Sequence, residues 1–373
     1  MHLNLYCIEH LTCIFVESFM EASGFLHTNL NNSSFASRDG ELPDYWTELL
    51  QRLNIGSPNF KAISPTEFTT EISPCTSFLT ETRMNDVRRI NKFLEQVNES
   101  MDEGEMFAAS FETYRARRKR IVFYKIPLLK YGWIFSEFVF LRIFPKLPVL
   151  KKIYFGVTGG KGRLLSKAEM LGRLVACGFE IIHHESTNGL TRFVVKKVKE
   201  PAYDTEASYG PLFRMRRIGK GGKIIQVYKF RTMHPYSEYL QDYILKQNGY
   251  AESGKPAADF RLTPWGKVMR RYWLDEVPQL INVLKGDMKL VGVRPVSPRY
   301  FEDIPKHLQE LRIKQKPGCV PPYVSLDRKP SVEGVLKAEE EYLLEKQRNP
   351  YFTDTRYFLS AIYNIIVKKK RSA

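Results

Sequence analysis

The sequence predicts an α+β protein in which a small α/β accessory module precedes a mostly helical domain with a small basic β-hairpin. The chain has 373 residues, of which 43% are hydrophobic, enough for two domains with sizeable cores. Helical and strand periodicities alternate from residue 85 onward. Residues 210–295 combine glycine-rich turns, basic strands and capped helices.

The composition narrows the classes of partner and cofactor. The formal net charge is +16, which indicates an anionic partner: a membrane surface, nucleic acid or a phosphorylated substrate. The five cysteines are odd in number and widely spaced, without a CxxC motif. We therefore expect reduced thiols in a cytosolic setting and no zinc site.

Residues 1–80 are expected to form a polar or poorly ordered linker, apart from a short helix near Tyr45–Leu53. Asn, Ser, Thr and Pro are frequent from residue 24 onward. Leu11–Met20 is mostly apolar, but no Lys or Arg precedes it and Glu17 interrupts it, so it does not resemble a signal peptide. The sequence contains no stretch of about 18 uninterrupted apolar residues, so we expect no ordinary transmembrane span.

Residues 81–204 are expected to form the α/β accessory module. A helix is predicted over 85–101, a strand over Gly104–Glu112, and a helix ending at Gly178 before a strand hairpin. This order resembles the C-terminal half of a Rossmann-type methyltransferase. The glycine-rich cofactor loop that should lie upstream is absent, so the resemblance implies a degenerate module. An ordinary α/β accessory domain is the alternative.

Two apolar segments next to basic residues suggest contact with a membrane surface. Within 121–150, an aromatic stretch follows the basic cluster Arg115–Arg120, which suits a helix that enters one leaflet. A buried core helix is the alternative. The C-terminal apolar helix ends in the basic run Lys368–Arg371, which suits either the helix dipole or anionic lipid.

A basic hairpin is predicted over residues 212–230, with its turn at Gly219–Gly222. Arg214, Lys229 and Arg231 lie on or beside its two strands. Basic side chains around a glycine turn favour contact with phosphate, although a generic charged surface would show the same pattern.

Adjacent carboxylates, Asp275 and Glu276, follow the hairpin. Thr263 and Pro264 predict the start of a helix that ends near Trp273, and the next helix begins at Pro278. The acidic pair would then lie at a helix N-terminus, where the dipole favours the ionised form. Simple capping explains this placement. An ionised carboxylate near phosphate can also serve as a nucleophile or a magnesium ligand.

Five motifs in this order favour a catalytic role for the acidic pair over simple helix capping. They are "GPLFRMRRIGKGGK", "YKFRTM", "DFRLTPWGK", "LDEVPQLINVLKGDM" and "LVGVRP". Together they closely resemble the bacterial sugar transferase family, the monotopic polyprenyl-phosphate phosphoglycosyl transferases. The resemblance is strong over about residues 205–320, and we place the catalytic domain at 205–373.

The resemblance implies transfer of a sugar 1-phosphate from a UDP-sugar to undecaprenyl phosphate, the first step of exopolysaccharide, capsule or O-antigen assembly. The aspartate that matches Asp275 attacks the sugar-linked phosphate, giving a covalent aspartyl-phosphosugar intermediate. The glutamate that matches Glu276 helps to hold Mg²⁺. Location on the cytoplasmic face of the bacterial inner membrane is also implied, and a homo-oligomer is left open.

A set of substrate-binding residues is expected around the acidic pair. It consists of Arg214, Lys229, Arg231, Arg261, Arg270, Gln279, Arg294 and Pro295. Two departures from the family pattern leave the sugar undefined. Val293 replaces the first proline of the usual "PRP", and Cys319-Val320-Pro321 replaces "ITG".

Two further classes of protein remain as alternatives. A nucleic-acid-binding protein would need a basic stripe with stacking aromatic residues, whereas the basic residues here cluster around an acidic pair. We therefore expect no nucleic-acid partner. A catalytically inactive membrane scaffold of the same fold is the second alternative, against which the intact acidic pair argues.

Overall fold

The computed structural model describes residues 43–55, 60–65, 77–120, 148–203, 209–249, 256–329 and 331–371, together with scattered positions between 126 and 144. Most of the predicted membrane-contacting segment 121–150 and the apolar stretch Leu11–Met20 lie outside these residues. The chain divides into two compact units, Met1–Thr205 with Glu238–Leu240, and Glu206–Ser237 with Gln241–Ala373.

The first unit is built on a five-stranded mixed sheet. Its helices are α1 (Asp44–Arg52), α2 (Ile90–Glu99), α3 (Tyr114–Arg120), α4 (Pro148–Thr158) and α5 (Lys167–Ala176). Its strands are β1 (Phe60–Ala62), β2 (Ser77–Leu79), β3 (Met106–Glu112), β4 (Phe179–Thr187) and β5 (Leu190–Lys197). The sheet order is β1-β2-β3-β5-β4, parallel from β1 to β3 and antiparallel from β3 through β5 to β4.

Apolar spacing explains most of this unit. The predicted helical positions Val87, Ile90, Phe93, Leu94 and Val97 are all buried. Ser166 caps α5 by accepting a hydrogen bond from the Glu169 N–H, and Gly178 ends the helix with φ of +87°. The kinship to a methyltransferase half stays a prediction.

Two short strands were missed in the predicted linker. β1 and β2 extend the sheet in parallel beside β3, although the sequence around them is rich in Ser, Thr and Pro. The short helix was predicted well, since α1 covers Asp44–Arg52 and buries Trp46 and Leu49. Strands of three residues carry too little alternation to stand out in a polar region, because their neighbours in the sheet supply the pairing.

The second unit is mainly helical. Its helices are α6 (Gln241–Asn248), α7 (Pro264–Arg271), α8 (Gln279–Leu284), α9 (Pro298–Glu302), α10 (Lys306–Ile313), α11 (Pro322–Ser325), α12 (Val332–Arg348) and α13 (Thr353–Ile366). Its strands are β6 (Leu212–Ile218), β7 (Ile224–Phe230), β8 (Lys289–Val291) and β9 (Gly318–Val320). β6 and β7 form the predicted antiparallel hairpin, and β8 pairs in parallel with β9.

The core of this unit lies where β8 meets the two long C-terminal helices. It contains Val291, Val293, Ile304, Leu308, Tyr342, Leu343 and Tyr357. Val293, the departure from the family motif, is therefore a core residue with 3% of its surface exposed. No helix among the described residues is both long and apolar enough to cross a bilayer.

The basic C-terminal run contacts its own unit. Lys368 and Lys370 both pair with Asp327, and Arg371 donates to the carbonyl of Ile365 in the last turn of α13. These contacts favour the helix-capping interpretation of the run over lipid contact.

Candidate active site

A short 3₁₀ turn, Leu274–Glu276, presents the acidic pair between α7 and α8. Thr263 caps α7 through the Gly266 N–H at 2.9 Å, as predicted. The chain then reverses at Trp273, whose φ of +56° is unusual for a residue other than glycine. The predicted start of α7 is therefore correct. α8 begins at Gln279, one residue after the predicted Pro278, without a side-chain cap, and a tight turn lies between the two helices.

A buried asparagine fixes this turn against the hairpin. Asn282 of α8 is fully buried; its amide oxygen accepts from the Tyr228 N–H at 3.0 Å, and its amide nitrogen donates to the Gln226 carbonyl at 2.7 Å. These bonds hold α8 on the backbone of β7, which carries Lys229. Sequence reasoning missed Asn282, and the apolar pattern gave no signal for it, because Leu280, Ile281 and Leu284 of the same helix are exposed.

Lys229 and Arg294 converge on the two carboxylates. The Lys229 Nζ lies 2.7 Å from a Glu276 carboxylate oxygen and 3.4 Å from an Asp275 carboxylate oxygen. Arg294 donates to the same Glu276 oxygen at 3.3 Å. The Asp275 and Glu276 side chains are 8% and 15% exposed, whereas that of Arg294 is 51% exposed. Arg294 therefore forms the open side of the cluster.

Arg270 adds a third basic group. It lies within electrostatic range of Asp275 and donates to the Thr232 hydroxyl at 2.9 Å. Burial lowers the pKa of Arg270, while the charges of Asp275 and Asp259 act in the opposite direction. Arg270 thus adds a third positive charge to the surround of Asp275.

Arg261 occupies a different environment from the other predicted substrate contacts. Its side chain is 4% exposed and forms a forked pair with Asp259, with contacts of 2.9 and 2.8 Å. Burial opposes ionisation of Asp259, but the hydrogen bonds from Arg261 lower its pKa overall. Arg261 is therefore almost covered and already paired, unlike Arg294, and its contact with substrate stays a prediction.

Arg214 lies on the opposite face of the hairpin from Lys229. In the β6–β7 register, Lys229 pairs with Phe213 and Arg214 pairs with Tyr228, so the two basic side chains point away from each other. Arg217 pairs with Ile225 and shares the face of Lys229. Counting alternate residues outward from the glycine turn would have selected Arg217 from the sequence.

Arg217 lies near Arg294. The adjacent Ile218 N–H donates to the Val296 carbonyl at 3.0 Å, which places Arg217 beside the Arg294 segment. Burial lowers the pKa of Arg217, and the charge of Arg294 lowers it further. Within the described part of the chain, Arg217 donates to the Arg216 carbonyl and the Met215 sulfur, neither of which carries a compensating charge.

Three predicted substrate-binding residues remain: Arg231, Gln279 and Pro295. Arg231 donates to the Gly210 carbonyl at 3.1 Å and lies over the rings of Tyr209 and Phe213. Gln279 follows the dyad by one helical turn, is 3% exposed, and leaves its amide oxygen without a hydrogen bond. Pro295 directly follows Arg294 and fixes the backbone there.

The donor chemistry around the dyad is compatible with a magnesium ion. Mg²⁺ in phosphate enzymes is commonly held by one or two carboxylates, with substrate phosphate and water as the other ligands. Asp275 and Glu276 supply two such groups. Within the described ranges, no cluster of three or more His, Cys, Asp or Glu side chains could hold a metal ion alone.

The fold and site define a domain suited to phosphate chemistry, since acidic groups lie within a basic surround. Comparison with known proteins finds a family model that matches the second unit. Residues 202–367 match the model of the bacterial sugar transferase family. The match agrees with the family resemblance that the sequence motifs carry.

Several curated proteins are similar to this chain. Galactosyl transferase CpsE of Streptococcus agalactiae is 40% identical over 111 residues, 29% of this chain and 24% of that protein. A UDP-N-acetylgalactosamine-undecaprenyl-phosphate N-acetylgalactosaminephosphotransferase of Aeromonas hydrophila is 39% identical over 104 residues, 27% of this chain and 22% of that protein. The undecaprenyl-phosphate galactose phosphotransferase of Salmonella typhimurium is 36% identical over 126 residues, 31% of this chain and 25% of that protein. The matches thus span about a quarter of the length of these relatives.

Proposed function

We propose that this protein transfers a sugar 1-phosphate from a UDP-sugar to undecaprenyl phosphate. The observation that carries the proposal is the adjacent pair Asp275 and Glu276, held by Lys229 and opened to solvent at Arg294. The names of the relatives from Aeromonas and Salmonella, which describe transfer to undecaprenyl phosphate, support the same reaction. The product would start an exopolysaccharide, capsule or O-antigen chain.

The first step is a displacement at the sugar-linked phosphorus. A carboxylate oxygen of Asp275 forms a bond to that phosphorus as the bond to the bridging oxygen of the diphosphate breaks. UMP leaves with the electron pair, and an aspartyl-phosphosugar remains. A carboxylate nucleophile needs no general base, and Asp275 faces the cations Lys229 and Arg270.

The second step breaks the bond between the phosphorus and the enzyme. A phosphate oxygen of undecaprenyl phosphate attacks the same phosphorus, and the bond to the Asp275 carboxylate breaks. The product is an undecaprenyl diphosphate sugar, and the free carboxylate returns. Lys229, Arg270 and Arg294 offset the negative charge that two phosphates and two carboxylates bring together.

Within this proposal, Glu276 would hold Mg²⁺, with Asp275 beside it. When bound, the ion would reduce the repulsion between the carboxylates and the incoming phosphate. Lys229 already contacts both carboxylates and provides part of that neutralisation itself.

A membrane surface is the proposed location, because the lipid acceptor must reach the dyad. An exposed apolar face surrounds the acidic turn along α7, the 3₁₀ turn and α8. It consists of Trp265, Val268, Tyr272, Leu274, Val277, Leu280, Ile281 and Leu284, from 38% to 88% exposed. Lys267, Arg271 and Lys285 are exposed among these residues. An apolar face with interspersed basic residues suits the interface of an anionic bilayer, here the cytoplasmic face of the inner membrane.

The reaction is tested with membrane-associated protein, Mg²⁺, undecaprenyl phosphate and a panel of radiolabelled UDP-sugars. UMP release together with label in an undecaprenyl diphosphate sugar is expected for one or more of the sugars. Asp275→Asn should abolish both, while Asp303→Asn, at an exposed site, should leave them unchanged. Transfer by the Asp275→Asn protein would exclude this nucleophile. No transfer by the wild-type protein with any sugar would favour an inactive scaffold.

A further inference from the structure

A buried ion pair lies directly behind Arg294. Glu339 of α12 and Arg312 of α10 are 1% and 6% exposed, and their side chains contact each other. Glu339 accepts a hydrogen bond from the Arg294 N–H at 3.1 Å. Arg312 donates a second hydrogen bond to the Arg294 carbonyl. The pair therefore holds both the backbone N–H and the backbone carbonyl of Arg294.

A buried ion pair often contributes less to the stability of a core than apolar side chains of similar size do. Removing two charges from water costs several kcal/mol per ion, and replacing such a pair by apolar side chains is often neutral or stabilising. Burial raises the pKa of Glu339, whereas the charge of Arg312 acts in the opposite direction. Stability alone thus gives a weak reason for the pair, and its contacts suggest a positional one.

The Arg294 side chain depends on its backbone for direction. Its guanidinium group is half exposed and reaches Glu276 at 3.3 Å. A side chain with so little packing around it can point to one carboxylate reliably only if its own Cα is fixed. Two neighbouring contacts contribute to that: the Val293 carbonyl accepts from the Gly318 N–H at 2.9 Å, and Pro295 restricts the next residue.

We propose that Glu339 and Arg312 are positioning residues that hold Arg294 against the acidic pair. Neither side chain is described in contact with Asp275 or Glu276, so their effect on the reaction passes through Arg294. The catalytic part of this inference rests on the proposed function; the positional part is a statement about Arg294 alone.

The main test removes both charges together in the Glu339→Met, Arg312→Met double variant. Because no unpaired buried charge remains, we expect a folded protein with a cooperative thermal transition. Sugar-phosphate transfer should fall about as far as in Arg294→Ala, on the order of 10²-fold and mainly in kcat. The same double substitution made in the Arg294→Ala protein should change the rate by less than about twofold, because there is no side chain left to position.

The inference would be overturned if the effects of the double substitution and of Arg294→Ala on the rate were independent. If the double substitution lowers activity by the same factor with and without Arg294, the pair acts only on general structure. Unchanged activity in the double variant would overturn it as well. Arg312→Lys provides a second variant if the first does not fold. Its single ammonium group cannot match the forked geometry of the guanidinium, so a partial loss that again disappears in the Arg294→Ala protein is expected.

A second readout does not require turnover. Phenylglyoxal modifies accessible arginines, and peptide mass spectrometry can follow Arg294 separately. We expect Arg294 to react several-fold faster in the double variant, because it is no longer held on Glu276, while exposed Arg299 reacts at an unchanged rate. An unchanged Arg294 rate would overturn the positional inference. Failure of the proposed function would instead appear as a wild-type protein without transfer activity, whatever the Arg294 rate.

Discussion

Two sets of ion pairs in the second unit have similar composition but opposite surroundings. In the Arg261–Asp259 pair, a forked guanidinium meets one carboxylate, and both side chains are almost covered. In the dyad cluster, Lys229 is shared between two carboxylates and Arg294 is half exposed. A charge whose hydrogen bonds are complete supports the fold, whereas a shared, partly open set retains capacity for a phosphate.

The largest expected effect in this comparison is the loss of stability in Arg261→Met. Arg261→Met leaves Asp259 buried without its partner, so we expect a loss of about 3–5 kcal/mol in the free energy of unfolding. Chemical denaturation measures the loss, and exposed Arg299→Met is the matched control, with a change below about 0.5 kcal/mol. A stable Arg261→Met protein with impaired substrate binding would instead restore Arg261 to the substrate site.

The next effect concerns catalysis. Lys229→Met removes the cation that both carboxylates share, and we expect kcat to fall by about 10²–10³-fold. Lys337 of α12 is the control, because it is 63% exposed and pairs with Glu333 on the same helix. Steady-state UMP release compares the two variants. Equal losses in Lys229→Met and Lys337→Met would contradict a special role for the dyad cluster.

A smaller effect separates the two faces of the hairpin. Arg217→Gln should raise the KM for the UDP-sugar by roughly tenfold, because Arg217 shares the face of Lys229 and lies near Arg294. Arg214→Gln, on the opposite face, should change it by less than about twofold. Initial rates over a range of UDP-sugar concentrations provide the measurement. The reverse order would show that the register does not decide which arginine meets substrate.

The place of the acidic pair in the chain could be predicted from the sequence because its signals are local. Thr263, Pro264 and Pro278 mark helix ends, and these residues place Asp275 and Glu276 between two helices without tertiary information. The hairpin was equally readable from its glycine turn. Arg214 was grouped with Lys229 because the strand register was not counted, and the structure places these two residues on opposite faces.

Other features needed the three-dimensional structure. Arg261 and Arg294 have the same chemistry in the sequence, and only packing shows that one is enclosed and the other open. Glu339 lies 45 positions from Arg294, so no local pattern connects them. The strands β1 and β2 were missed for a related reason, since their pairing partners lie elsewhere in the chain.

The smallest expected effect concerns Cys319 beside the dyad. Burial, followed by the negative charge of Glu276, raises the pKa of this thiol to about 11. Because the thiolate is the reactive form, alkylation by iodoacetamide should be slow at pH 7 and rise about tenfold per pH unit until the pH approaches that value. Peptide mass spectrometry can follow Cys319 separately. Rapid alkylation at neutral pH would mean that the thiol is less buried than in this structure, or that Glu276 is neutralised or lies farther away.

The central claim is that Asp275 forms a covalent bond to the phosphosugar. Wild-type protein incubated with Mg²⁺ and a panel of UDP-sugars, but without undecaprenyl phosphate, should gain the mass of one sugar phosphate, and peptide mapping should place it on Asp275. Addition of undecaprenyl phosphate should remove it. An active enzyme that never carries the adduct, or carries it on another residue, would contradict the account.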